Sequence, residues 1–220
     1  MTTVRAYHFV GAKLLDGRPV PKDGELLRFD GRPVLAHQGL HASLHPFDAL
    51  RYARGATLCL VDVGGVIVYG RDKLAGTERT IVARIDAREL LSYFSRMLAV
   101  SVLDKWPVQP SDCVLNFLMT GDSRLYTDAF LSIQTVSESL FSKRLSLFAY
   151  SRTVEVALFA VQASLWATAS DARGAVSTAA AVAGVAFRSA KRKSAQLAAY
   201  AAAMSSSRNM FAKLVKESLG

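Results

Sequence analysis

The sequence has few of the residues that build disulfide or metal frameworks. Its 220 residues include two cysteines, Cys59 and Cys113. Two cysteines cannot form a disulfide framework, and their spacing matches no metal-binding pattern. We expect both to pack as small hydrophobic side chains in a reducing cytosol.

Long apolar runs are also absent. The apolar run near the N-terminus is too short for a signal peptide and is followed by no small-residue cleavage site. The most apolar later window, residues 156–170, is interrupted by polar side chains. It is shorter than the roughly 20 residues that a membrane-spanning helix needs. We therefore expect a soluble protein that does not contact membranes.

The familiar catalytic signatures are missing as well. No nucleophile-elbow pattern is present, and Gly64-Gly65 lacks the Lys-Ser/Thr pair of a phosphate-binding loop. His41 and His45 have a spacing that suits zinc on one helical face. Because Pro46 is expected to open a helix after both, they do not share such a face, and we predict no metal site.

What the sequence does contain is apolar and basic. A hydrophobic content of 51% with 20% charged residues is typical of an ordered globular protein. The net charge is +9; residues 1–104 hold 14 Lys/Arg against 11 Asp/Glu, and residues 105–220 hold 13 against 7. The C-terminal excess includes one local cluster: Arg188, Lys191, Arg192 and Lys193. This cluster either binds phosphates or an acidic partner, or forms a solvated face of an Ala-rich helix.

The first half of the chain is predicted to be mixed α and β. Repeated DGRPV segments at 16–20 and 30–34 supply turn chemistry, since Asp-Gly pairs favour tight turns. Pro46 favours a helix start, and Gly64-Gly65 is interpreted as a hairpin turn. About six strands are expected, at residues 4–9, 25–29, 57–63, 66–69 and 80–85 among others.

The second half is predicted to be helical. Asp86 and Glu89 resemble a capping box for a helix that reaches about Asp104. Ser111 or Asp112 is expected to cap a short helix that ends at Gly121. Alanine density then rises and proline is absent, which favours closely packed helices. We expect turns near Gly174 and at 205–207. The prediction is an α+β fold with a strand-rich domain at 1–104 and an Ala-rich helical region at 105–220.

Residues 4–85 resemble ADP-ribosyltransferase-like domains through a series of short motifs. The segment AYHF at 6–9 is similar to the first motif of that superfamily, with His8 at its characteristic position. Gly39, Ser43 and Tyr52 follow in the order of the second motif. Glu78, just before a predicted strand, is similar to the catalytic glutamate of the third motif.

This resemblance implies an NAD pocket. His8, Ser43 and Tyr52 would contact the cofactor, and Glu78 would be catalytic. A tyrosine face can stack on nicotinamide, and a carboxylate can stabilise a developing oxocarbenium ion. The implied activity is ADP-ribosylation of a host target.

A second resemblance covers most of the chain. The segment GLHASLHPFDALRYA at 39–53, the segment VDVGGVIV at 61–68 and the Ala-rich C-terminal part are similar to a phage-associated domain of unknown function. That domain has a GFHA core and a Pro-led helix; here Leu40 replaces Phe and Ser43 replaces Cys.

This second resemblance implies a phage or prophage accessory protein, located in the bacterial cytoplasm or on the virion. Such a protein would need no cofactor. Its helical region would bind a protein partner or mediate homo-oligomerisation. Nucleic-acid binding through the basic cluster is a third hypothesis, and its affinity would fall steeply with salt.

Overall fold

The structure, a computed structural model, describes residues 3–14, 16–106, 109–144, 161, 162, 164, 172–190 and 192–220. The strands are β1 (Val4–Val10), β2 (Leu26–Arg28), β3 (Leu40–Ala42), β4 (Thr57–Tyr69) and β5 (Leu74–Asp86). The helices are α1 (Pro46–Leu50), α2 (Arg88–Val100), α3 (Asp112–Thr120), α4 (Tyr126–Arg144), α5 (Ala172–Ser189) and α6 (Lys193–Leu219). A strand-rich N-terminal part followed by helices confirms the α+β prediction.

All strand pairs are antiparallel, in the order β1-β4-β5-β2, and β3 also pairs with β5. The sheet closes on itself because Ser43, directly after β3, exchanges two backbone hydrogen bonds with Tyr7 of β1, at 2.8 and 2.9 Å. We call the ring β1-β4-β5-β3 the barrel. Closure leaves β2 as a short edge, which limits unwanted strand pairing.

The apolar side chains that face the barrel interior are mostly small or β-branched. They are Ala6, Val10, Ala42, Cys59, Val61, Val63, Leu74 and Ile81. Cys59 is a buried free thiol, and Cys113 is a partly buried one. These residues recur with the period of two that strands require, so the alternate residues, such as Tyr7 and Phe9 on β1, face outward.

The predicted hairpin at Gly64-Gly65 is wrong. Both glycines lie within the continuous strand β4, where a register shift between Gly64 and Ile67 marks a β-bulge. The backbone N–H of Val66 donates to the hydroxyl of Thr77 at 3.0 Å, which replaces a strand-pairing bond. The turn between β4 and β5 lies at Gly70, whose N–H bonds to the Lys73 carbonyl at 2.8 Å. The described residues therefore form five strands where about six were expected.

The chain forms two compact units, residues 1–90 with 211–220, and residues 91–210. The sequence-based boundary was placed at 104. In the first unit, α1 packs against β1. Phe47 of α1 meets Phe211 of α6 edge to face, with ring centroids 6.2 Å apart at 75°. Both rings are fully buried, so the last segment of the chain belongs to the core of this unit.

In the second unit, α3 and α4 pack around Val114, Phe117, Leu118 and Ile133. Helix α3 ends at Gly121, as predicted, with φ +71°. Helix α2 stops at Val100, short of the expected Asp104, and a 3-10 turn follows at Leu103–Lys105.

The turn expected at 205–207 is wrong, because these residues lie inside α6; of the turn expected near Gly174, residues 165–171 lie outside the described residues and Gly174 itself lies inside α5. Gly174 is a buried residue inside α5, and its carbonyl accepts the hydroxyl of Thr178 at 2.8 Å. Ser207 is buried inside α6 and donates to the carbonyl of Ala203 at 3.0 Å. Because these segments contain no proline, the backbone hydrogen bonds of the helix continue through them. The Thr178 and Ser207 hydroxyls donate to carbonyls one turn earlier instead of ending the helix. Most of the apolar window at 156–170 lies outside the described residues.

Candidate functional site

His8 lies on the inner side of the barrel. Its strand partner is Cys59, and its neighbours along β1 on the same face are Ala6 and Val10, which belong to the interior. Burial, and after it the positive charges of Arg79 and His41, hold the pKa of His8 well below its usual 6.5. The imidazole is therefore neutral at physiological pH and can donate or accept a hydrogen bond.

Ser43 has a structural position at the closure of the barrel. It is buried, and its backbone bonds to Tyr7, the residue before His8. The structure thus brings Ser43 and His8 onto adjacent segments, but Ser43 pairs with Tyr7 and follows the inward-facing Ala42, so alternation directs its side chain to the face opposite His8.

Glu78 lies on the opposite face of the sheet from His8. Arg79 pairs with Val63 and Ile81 pairs with Val61, and both valines belong to the barrel interior. Alternation along β5 then directs Glu78 outward. There its carboxylate lies 3.4 Å from the guanidinium of Arg28 on β2. Glu78 is inside a strand, where the sequence had placed it just before one.

Tyr52 lies on the surface after α1 and is 46% exposed. Its hydroxyl donates to Asp72 at 2.7 Å, and the Lys73 ammonium sits 4.4 Å from its ring centroid. This hydrogen bond raises the pKa of Tyr52 and lowers the pKa of Asp72. One face of the ring is thus occupied, and the residue links α1 to the β4–β5 turn.

The four residues of the predicted NAD pocket therefore do not converge. His8 and Ser43 lie on adjacent segments with their side chains on opposite faces, Glu78 faces away from His8, and Tyr52 is hydrogen-bonded to Asp72.

His41 and His45 each use a ring nitrogen to satisfy the backbone. His41 Nε2 accepts the N–H of Ala36 at 3.1 Å. His45 Nδ1 accepts the N–H of Phe47 at 3.2 Å and so caps α1. Within the described part of the chain, no group of three His, Cys, Asp or Glu side chains is arranged to hold a metal ion.

The C-terminal basic cluster is only partly described. Arg188 at the end of α5 and Arg192 before α6 are exposed. Lys191 lies outside the described residues, and so does the side chain of Lys193. No described helix is both long and apolar enough to cross a membrane.

Beside Arg188, α5 and α6 form an open concavity of about 300 Å³. Its lining is mostly apolar: Gly184, Phe187, Arg188, Leu197 and Tyr200. Leu197 is 74% exposed and Tyr200 37% exposed. We call these five residues the α5–α6 surface. Such an uncovered apolar group next to a cation is typical of an interaction site.

The fold defines an antiparallel α+β protein with a small barrel. A domain of unknown function, DUF7666, is found over residues 4–93, which span all five strands and the start of α2. No curated protein and no solved structure matches the chain. Phage association, ADP-ribosyltransferase likeness, the NAD cofactor and the cellular location accordingly stay predictions.

Two groups of residues were missed by the sequence reasoning. Arg79 was missed because the strand was expected to begin at residue 80. If that strand is extended back to Glu78 with Ile81 facing inward, Arg79 also faces inward and Glu78 faces outward. Leu197 and Tyr200 carry no local signal, since an apolar residue in an Ala-rich helix is more often buried.

Proposed function

We propose that the protein acts by binding another protein through the α5–α6 surface. The observation that carries this proposal is the exposure of Leu197 in a concavity that it lines together with Phe187 and Tyr200, on two successive helices. Leaving a leucine in water forgoes roughly 1.5–3 kcal/mol of burial, which a partner can recover. The concavity is open, and its volume is at the lower end of the range for small-molecule pockets, which favours side chains of a partner.

The charges indicate the chemistry of the partner. Arg188 lines the surface and Arg192 lies beside it, and no described acidic residue lines it. A partner segment with apolar side chains flanked by carboxylates would complement it. Self-association across a two-fold axis would bring the arginines of both copies into one interface, which is unfavourable. Nucleic acid would leave Leu197 uncovered.

A pair of model helices tests this proposal. One carries a leucine stripe flanked by glutamates, and the other has lysines in place of the glutamates. We expect the full-length protein to bind the acidic helix, measured by fluorescence anisotropy, and to bind the basic helix at least about tenfold more weakly, a difference of roughly 1.4 kcal/mol. Leu197→Asp and Arg188→Glu should each abolish the preference.

Matched controls keep the experiment specific. Leu131→Asp alters another leucine that is 53% exposed, on α4, and should leave binding unchanged. Equal binding of both helices, or an unaltered preference in Arg188→Glu, would contradict the proposal. Concentration-dependent light scattering lost in Leu197→Asp would indicate self-association, and a salt-sensitive gel shift with DNA would indicate nucleic acid.

A further inference from the structure

Arg79 is a buried arginine in the barrel. It lies in the middle of β5, opposite Val63, and is 6% exposed. The side chains around it on this face include Val61, Val63 and Ile81, which are all apolar. A charged side chain in such surroundings loses most of its hydration and needs partners that compensate.

The described residues give the Arg79 guanidinium one hydrogen-bond acceptor, and its remaining nitrogens keep contact with solvent, since neither is among the described buried atoms without a partner. Its one hydrogen bond to the described residues runs from Nη1 to the carbonyl oxygen of His41, at 2.7 Å. No described carboxylate forms an ion pair with it. Burial lowers the pKa of Arg79 from 12.5 to about 10, so the group is still a cation at neutral pH.

Arg84, on the same strand, shows what a compensated arginine looks like here. Its Nε donates to Asp23 at 2.6 Å and its Nη2 donates to the carbonyl of Pro21 at 2.7 Å. The two arginines differ in one respect, since Arg84 has a carboxylate and Arg79 has none.

The groups near Arg79 add no negative charge. Burial keeps His8 neutral and raises the pKa of the Cys59 thiol to about 11, so that the thiol is protonated at neutral pH. Asp16 acts on Arg79 electrostatically, but Arg18 does so with the opposite sign. The Asp16 carboxylate is already engaged by Arg18, with bonds of 2.6 to 3.1 Å.

We infer that Arg79, together with His8, binds a small oxyanion, a phosphate or carboxylate group, in the barrel. The planar guanidinium offers paired N–H donors that match such a group, and a neutral imidazole adds one more donor. The site is separate from the α5–α6 surface, so either proposal can fail without the other.

The test uses the full-length protein with sodium phosphate and sodium acetate, each against sodium chloride at equal ionic strength. Proton NMR follows the four imidazoles, with His8 assigned from the His8→Gln variant. We expect an oxyanion to raise the pKa of His8 and the thermal midpoint of the protein. A response to phosphate alone assigns a phosphate group, a response to acetate alone assigns a carboxylate, and a response to both assigns oxyanions in general.

Arg79→Met removes the charge at similar length and should weaken the response at least about tenfold, or roughly 1.4 kcal/mol. Arg84→Met is the matched control and should respond like the original protein. If Arg79→Met does not fold, Arg79→Lys keeps the positive charge but lacks the paired N–H donors of the guanidinium, and it should weaken the response. An unshifted His8 signal in both salts, or an undiminished response in a folded Arg79 variant, would overturn the inference.

Discussion

At the scale of single residues, the barrel combines an apolar interior with a few enclosed polar groups. His8 pairs with Cys59 on β4, and the positive charges of Arg79 on β5 and His41 on β3 act on it electrostatically. The pKa of His41 is also lowered, chiefly by burial. Each imidazole therefore favours its neutral form in the folded protein, and protonation works against folding.

This arrangement predicts that the N-terminal unit loses stability in mild acid. A depressed imidazole pKa leaves stability unchanged above the unfolded value near 6.5 and reduces it as pH falls from there toward the folded pKa. The slope is at most about 1.4 kcal/mol per pH unit for each proton. Denaturant unfolding between pH 7.5 and 5, monitored by hydrogen exchange of β1 and β4 peptides, measures this change in the free energy of unfolding.

The variant His8→Gln should flatten this pH dependence, whatever it does to absolute stability. His37→Gln serves as the control, because His37 is exposed. An equal slope in His8→Gln and the original protein would show that His8 does not carry the effect.

At the scale of elements, the pairing of β4 with β5 depends on a close approach of the two backbones at Gly76. A Cβ atom on Gly76 would lie 2.4 Å from Val63 Cγ1 and 2.9 Å from the Gly64 carbonyl oxygen. A Cβ atom on Gly64 would meet nothing closer than 3.4 Å. The two strands can therefore approach at Gly76 only because that residue has no side chain.

We expect Gly76→Ala to destabilise the barrel by about 1–3 kcal/mol, the usual cost of overpacking. Gly64→Ala should be neutral or mildly stabilising, by up to about 1 kcal/mol, because it restricts the unfolded chain. Chemical denaturation of both variants checks the pair. Adding Val63→Ala to Gly76→Ala should recover part of the loss; full additivity of the two changes would argue against the contact.

Elements with local signals were predictable from sequence. Pro46 begins α1 and Gly121 ends α3, because a fixed φ at a helix start and a positive φ at its end are properties of single residues. The hairpin turn predicted at Gly64-Gly65 was wrong because a glycine with positive φ occurs in a β-bulge as well as in a turn. The closure through Tyr7 and Ser43 joins distant segments, and no local pattern encodes it.

The candidate site was less predictable than the fold. His8 and Ser43 were named and are neighbours in the barrel. Glu78 was predicted to be catalytic and Arg79 was not considered. Because successive side chains of a strand face opposite sides, Arg79 faces the barrel interior and Glu78 faces outward. The exposure of Leu197 depends on what the neighbouring helices leave uncovered, which is a tertiary property.

At the scale of the whole molecule, the N-terminal unit is built from two distant parts of the chain, 1–90 and 211–220. The DUF7666 match ends at residue 93, so it contains the sheet without the segment that carries Phe211. That segment contributes a fully buried ring to the core beside Phe47.

Phe211→Ala should therefore destabilise the N-terminal unit by about 3–5 kcal/mol, as expected for deleting a buried phenyl ring. Leu197→Ala, on the same helix but mostly exposed, should cost less than about 0.5 kcal/mol. Hydrogen exchange of α1 and β1 peptides reports the effect on this unit. Protection lost only within α6 would contradict the prediction.

The discontinuous core also has a consequence for synthesis on the ribosome. Phe211 is made about 120 residues after the first 90 residues have been translated. At elongation rates of about 5–20 residues per second, that interval is on the order of 10 s. Throughout it Phe47 lacks the contact with Phe211, so we expect chaperones that hold exposed apolar surface to bind the nascent barrel until Phe211 has been made.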